Sequence, residues 1–147
     1  SNGKPRHAHK RGTVTSNPYK GNVAGSQPQY SFHWHGTSNK IFLFEAPIDM
    51  LSYISMHKDN WKSYSYAASC SVSDRVLFQC LKDNSNIKNV FLCFDNDEAG
   101  QTANKRIADK LNTMNIQNKI LIPKHKDWNE DLKFAEEGDE KLCRQVL

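Results

Sequence analysis

From Lys40 onward the chain alternates short apolar runs with stretches whose apolar residues recur every three to four positions. Residues 40–45 read as a first strand. Pro47 then suits the first turn of a helix, and Ile48, Leu51 and Ile54, with Met50 and Tyr53 beside them, give that helix an apolar face. Residues 65–68 form a weaker second strand, and Ser73 is placed to cap a helix carrying Val76, Leu77, Cys80 and Leu81. Residues 90–94 are apolar without alternation, which predicts a strand buried on both faces. Asp97 is positioned to cap a helix in which Ala99, Ala103, Ile107, Leu111 and Met114 recur at helical spacing. Residues 119–122 make a fourth strand, closed by Pro123. A loop then leads to Asn129 and a last helical region with a break near Gly138. The order βαβαβαβα with right-handed crossovers predicts an α/β fold: a parallel sheet of about four strands with helices on both faces.

Residues 1–39 follow neither period. They are polar and glycine-containing, and only the alternation from Tyr30 to Trp34 predicts a short strand. The reading is therefore two units, a small basic N-terminal appendage over 1–39 and the α/β domain over 40–147. Ser1, Asn2 and Gly3 have the look of a tag-cleavage scar, which implies a fragment of a longer protein.

Net charge is +4, but its distribution changes the picture. Lys4, Arg6, Lys10, Arg11, Lys20 and Lys40 stand in the first 44 residues without one acid, and the remainder is slightly acidic. A basic arm beside an acidic site points to a phosphate-rich polymer as partner. No apolar run approaches the length of a membrane span and no signal peptide is visible. Cys70, Cys80, Cys93 and Cys143 form no CxxC pair, so neither a zinc ribbon nor a disulfide framework is indicated, and a reducing cytoplasm is the expected setting. His7/His9 and His33/His35 have HxH spacing but lack a third zinc ligand.

The candidate chemistry lies at two strand ends. The third strand runs directly into Asp95 and Asp97, and the first into Glu45. In open parallel sheets ligands bind at the carboxyl ends of strands, near the point where strand order reverses. A 2-1-3-4 strand order makes the first and third strands neighbours and converges the three acids. Two carboxylates followed by small residues suit a hard divalent cation such as Mg²⁺, with Mn²⁺ as substitute.

These motifs resemble the toprim domain of bacterial primases, type IA and type II topoisomerases, OLD-type nucleases and recombination-repair proteins. The resemblance rests on Glu45-Ala46-Pro47-Ile48-Asp49 with Leu51-Ser52, then Asp95-Asn96-Asp97-Glu98-Ala99-Gly100, then Lys126-Asp127-Trp128-Asn129-Glu130-Asp131-Leu132. Ala46 stands where the family usually has glycine. The first and last motifs look most like primase-like toprim proteins of plasmids and conjugative elements, and the segment before Lys40 resembles part of the small uncharacterised domain that precedes toprim there. The resemblance implies a Rossmann-like toprim fold and Mg²⁺-dependent phosphoryl transfer on nucleic acid. It makes Glu45 the general acid/base, Asp95 and Asp97 the metal ligands, and Asp49 and Asp127 supporting candidates.

Lys4, Arg6, Lys10, Arg11 and Lys20 are then expected to contact nucleic acid: DNA first, with RNA, nucleotides and other replication or transfer proteins as further partners. The leading expectation is a primase-like module for replication or conjugation of a mobile element. The alternatives are a toprim that binds DNA or a partner without chemistry, and a toprim nuclease. A topoisomerase is disfavoured because that reaction needs a tyrosine-bearing domain that the chain lacks.

Overall fold

A computed structural model describes residues 4–144 other than 15, 17 and 18. The elements run β1 (His9–Arg11), β2 (Lys20–Asn22), β3 (His33–Trp34), β4 (Lys40–Phe44), α1 (Pro47–Met56), β5 (Ser65–Ala68), α2 (Arg75–Asp83), β6 (Asn89–Cys93), α3 (Glu98–Thr113), β7 (Gln117–Ile120) and α4 (Trp128–Arg144). The main sheet has the order β3-β5-β4-β6-β7. Strands β5, β4, β6 and β7 are parallel, in the 2-1-3-4 arrangement expected from the sequence. The fifth strand, β3, pairs antiparallel with β5, so residues before Lys40 close one edge of the sheet. Strands β1 and β2 form a separate antiparallel ribbon, His9 opposite Asn22.

Strand β4 is central because both of its faces are apolar. Ile41 and Leu43 point into a cluster with Leu77, Leu92, Ile107 and Leu111, which seats α2 and α3. Phe42 and Phe44 point the other way, against Met50, Tyr53, Tyr66 and Trp128, which seats α1 and α4. Complete burial of each such side chain contributes about 1.5–3 kcal/mol. Trp128 also donates from Nε1 to the Cys93 carbonyl at 2.9 Å, so it anchors the start of α4 to the end of β6. Among the described residues no helix is long and apolar enough to cross a membrane.

Four local expectations shift. On α1 the core-facing residues are Met50 and Tyr53, which pack with Phe42, Phe44 and Trp128, while Ile48 and Leu51, read as its apolar face, are exposed. The last strand is Gln117–Ile120, not 119–122, because pairing with β6 sets its register, Leu92 opposite Ile120. It is an edge strand, and polar Gln117 and Asn118 serve it as well as apolar residues would. Helix α4 is capped by Asp127, whose Oδ1 accepts the Glu130 N–H at 2.8 Å, rather than opening at Asn129. It also continues through Gly138, since one glycine costs a helix only about 1 kcal/mol.

Candidate functional site

Parallel pairing of β4 with β6 puts Phe44 opposite Cys93. Glu45 therefore leaves the sheet at the same edge as Asp95, and both stand where the strand order reverses. Ala46 is extended, with φ −128° and ψ 155°, a conformation open to any residue, so alanine serves where glycine is usual. Pro47 opens α1 immediately behind it.

After Asp95 the backbone turns sharply into α3. Asp97 caps that helix, its Oδ1 accepting the Gly100 N–H at 2.8 Å. Gln101 Nε2 donates to the Asp95 carbonyl at 3.1 Å. A Cβ on Gly100 would collide with the Asp95 carbonyl oxygen, so glycine there permits the close approach of helix and strand end. Asn96 ties the turn to the loop before α4: its N–H donates to the Lys126 carbonyl at 2.8 Å and its Nδ2 to the Pro123 carbonyl at 3.3 Å. Through this loop the third sequence motif reaches the first two. Asn129 N–H donates to the Asp49 Oδ1 at 3.4 Å, linking α4 to the first turn of α1.

The electrostatics follow from crowding acids into a partly desolvated edge. Burial pushes the Asp95 carboxyl up to about 7, helped by the charges of Asp49, Asp127 and Asp97 and opposed by Lys20. Burial likewise raises Asp49 to about 6, with Asp127 and Glu45 adding to it and the Asn129 N–H and Arg11 opposing. Glu45 is raised by burial, then by Asp95 and Asp97, against Lys20 and Lys126. Asp95 Oδ1 is buried and accepts no hydrogen bond. Such an atom is costly unless a proton or a cation meets it. Among the described residues no three His, Cys, Asp or Glu side chains stand close enough to enclose an ion by themselves. Glu45, Asp95 and Asp97 therefore feel one another's charge but do not converge on one ion-sized point, contrary to what their positions at neighbouring strand ends predict.

Of the basic residues expected to bind nucleic acid, Arg11 and Lys20 on the ribbon act electrostatically on the acid cluster. Arg6 lies over the Tyr30 ring at 4.5 Å and Lys10 over the Tyr19 ring at 5.5 Å, and Lys4 is exposed. Sequence reasoning missed Lys126 as a counter-charge to Glu45. Only the position of Lys126 beside Asp127 hinted at it. Asp131 lies outside the acid cluster's hydrogen bonding. Against the upward push of its burial, the N–H groups of Lys124 and His125 hold it below its ordinary value.

The family model described as Toprim-like matches residues 42–132, the span that carries all three motifs. The chain belongs to the toprim-like family. Residues 1–38 match a second family, a protein of unknown function (DUF3991). An uncharacterized protein of Bacillus anthracis, pXO2-78, is 26% identical over 90% of this chain and 44% of its own length. The chain thus spans less than half of that curated relative. Among solved structures, the primase fragment of the bacteriophage T7 primase-helicase protein aligns with TM-score 0.58 at 18% identity, over 88% of this chain and 54% of that one. A chain from the structure of T7 lagging-strand DNA polymerase interacting with primase domains of two gp4 subunits, bound to an RNA/DNA hybrid and dTTP, aligns with TM-score 0.52 at 20% identity. That match covers 94% of this chain and 69% of the other. These likenesses establish a toprim fold of the primase-fragment type. In this toprim domain Glu45 and Asp49 come from the first motif, Asp95 and Asp97 from the second, and Asp127 from the third.

Proposed function

We propose that this toprim domain is a Mg²⁺-dependent phosphoryl-transfer module acting on nucleic acid, primase-like in type, within a replication or transfer protein of a mobile element. The observation that carries the reading is the buried, unpartnered Oδ1 of Asp95 amid four further carboxylates. Asp95 would hold the cation, together with the Asp97 carboxylate oxygen that the helix cap leaves unused. Bound there, the ion would neutralise phosphate charge and stabilise attacking and leaving oxygens. Glu45, whose carboxyl is raised above its ordinary value by burial and then by Asp95 and Asp97, is placed at the strand end to take and return a proton. Asp49 and Asp127 keep the edge acidic and brace it through α1 and α4.

Arg11 and Lys20 offer phosphate contacts on the facing side, with Lys4, Arg6 and Lys10 extending the basic ribbon. On this reading residues 1–39 are a substrate-facing appendage that lends β3 to the sheet edge, and 40–147 are the toprim unit. DNA is the principal partner, and RNA, nucleotides and other replication proteins belong to the same setting. Burial raises the thiols of Cys80 and Cys93, which makes them unreactive core groups compatible with the cytoplasm.

The test is a primer-synthesis and nicking assay of the full-length parent protein on single-stranded DNA with Mg²⁺ or Mn²⁺, beside Glu45→Gln. Product from wild type and a loss of about 10²-fold or more in the variant, with DNA binding retained, is expected for a positioned acid/base. Equal product from both overturns the role of Glu45, and DNA binding without chemistry in either leaves a binding module. Joint Arg11→Gln and Lys20→Gln should also flatten the salt dependence of DNA affinity, reducing the log–log slope by roughly 1–2 through counterions no longer released. An unchanged slope would exclude the ribbon from the DNA contact.

A further inference from the structure

Between the β1–β2 ribbon and the start of α1 lies a cleft of about 620 Å³ with two chemically distinct ends. One wall is apolar: Tyr30, Phe32, Pro47, Ile48 and Leu51. Phe32, Ile48 and Leu51 are 50%, 40% and 48% exposed, although Met50 and Tyr53 on the same helix are core residues. The other end is polar, with Arg11 and Lys20 from the ribbon and Glu45 from the acid cluster. His7 also lines the cleft, and both of its ring nitrogens are buried without a hydrogen-bond partner. Burial and the neighbouring His9 hold that ring below its ordinary pKa, so near neutral pH one nitrogen donates and the other accepts.

An apolar slot of this size, with a few convergent polar groups and a cationic mouth beside a carboxylate cluster, has the make-up of a site for a flat, anionic small molecule. Arg6, stacked over Tyr30, braces the aromatic wall from the ribbon side. We propose that this cleft is a nucleotide pocket. The base lies against Phe32 and Leu51, its edge meets His7, and its phosphates turn toward Arg11 and Lys20, next to Glu45. The pocket rests on the reading of the acid cluster as a nucleic-acid phosphoryl-transfer site. It also gives the ribbon a role, because half of the substrate site then comes from the segment that matches a family of unknown function. Phe32, Leu51 and His7 are then positioning residues for the incoming nucleotide.

The experiment titrates mant-ATP into the intact chain in excess MgCl₂ and again in EDTA, with adenosine and inorganic tripolyphosphate as competitors. The variants are Phe32→Ala, Leu51→Glu and the pair Asp95→Asn with Asp97→Asn, each checked for folding by circular dichroism. Phe32→Ala and Leu51→Glu should each weaken binding about tenfold in both buffers, and adenosine should compete in both. The aspartate pair should weaken binding only in MgCl₂. A wild-type result in the aspartate pair would remove the metal reading while the pocket stands. Unchanged affinity in Phe32→Ala and Leu51→Glu, competition by tripolyphosphate but not adenosine, or no nucleotide binding by wild type would each overturn the pocket. Should Phe32→Ala fold poorly, Phe32→Tyr, which keeps the stacking face, must bind as wild type does while Leu51→Glu does not.

Discussion

Gly100→Ala should lower stability by roughly 2–4 kcal/mol and remove the proposed activity, although alanine is the better helix former. Residue 100 lies in the first turn of α3, where replacing glycine by alanine ordinarily gains up to about 1 kcal/mol. Here the added methyl would meet the Asp95 carbonyl oxygen, and the Asp95 backbone N and C at 3.0 Å. Backbone cannot rotate aside as a side-chain tip can. Either α3 lifts from the end of β6 or Asp95 is displaced. Lifting α3 loosens Ala103, Ile107 and Leu111 from the core and stretches the cap from Asp97 to the Gly100 N–H. Displacing Asp95 removes the carboxylate at the heart of the acid cluster. Urea unfolding should show the loss directly, and Ala99→Ser, at an exposed position in the same turn, should lie within about 0.5 kcal/mol of wild type. A Gly100→Ala protein as stable as wild type would show that α3 and β6 tolerate a wider turn.

Much of that geometry is legible in the sequence because it is local. The unbroken apolar run into Asp95, and a helix period resuming just beyond it, fix a strand end, a cap and a helix within ten residues. The neighbouring placement of β4 and β6 follows from crossover handedness together with the need for Glu45 to find company. What escapes is whatever depends on distant partners. Asn129 looks like a cap, but Asp127 wins that place because its carboxylate reaches the Glu130 N–H, while Asn129 turns its own N–H to Asp49. The alternation from Tyr30 to Trp34 does announce strand β3, but its antiparallel place on the edge of the main sheet depends on β5 and is not in that pattern. Phe32 and His7 are 25 residues apart, and nothing in their spacing announces a shared cleft, because the ribbon that brings His7 there folds through backbone bonds such as Gln27 N–H to the Arg6 carbonyl.

Asp95→Asn should raise the melting temperature of the metal-free protein by several degrees at pH 8 while abolishing its response to divalent ions and, with it, the proposed phosphoryl transfer. The sign follows from linkage. Asp95 titrates at about 7 in the fold against 3.8 ordinarily. Between those values the folded state holds a proton that the unfolded chain has lost, so stability falls as pH rises through the window and the full penalty stands above pH 7. Asp49, raised to about 6, adds a slope of the same sign at the lower part of the range. The Asp95 share is on the order of 3 kcal/mol at most once water penetration and relaxation are allowed for. Wild type should therefore melt highest at mildly acid pH and lose stability towards pH 8. Asparagine carries no charge, so its curve should be flatter, with the residual slope due to Asp49 and Glu45. Mg²⁺ or Mn²⁺ should restore wild-type stability at pH 8, because a cation answers the same unpartnered Oδ1 that a proton answers at pH 5. Melting curves from pH 5 to 8, with EDTA or with each ion, measure all of this. Parallel curves for wild type and Asp95→Asn would mean that Asp95 bears no excess charge cost, and the acid cluster would lose its reason to bind metal.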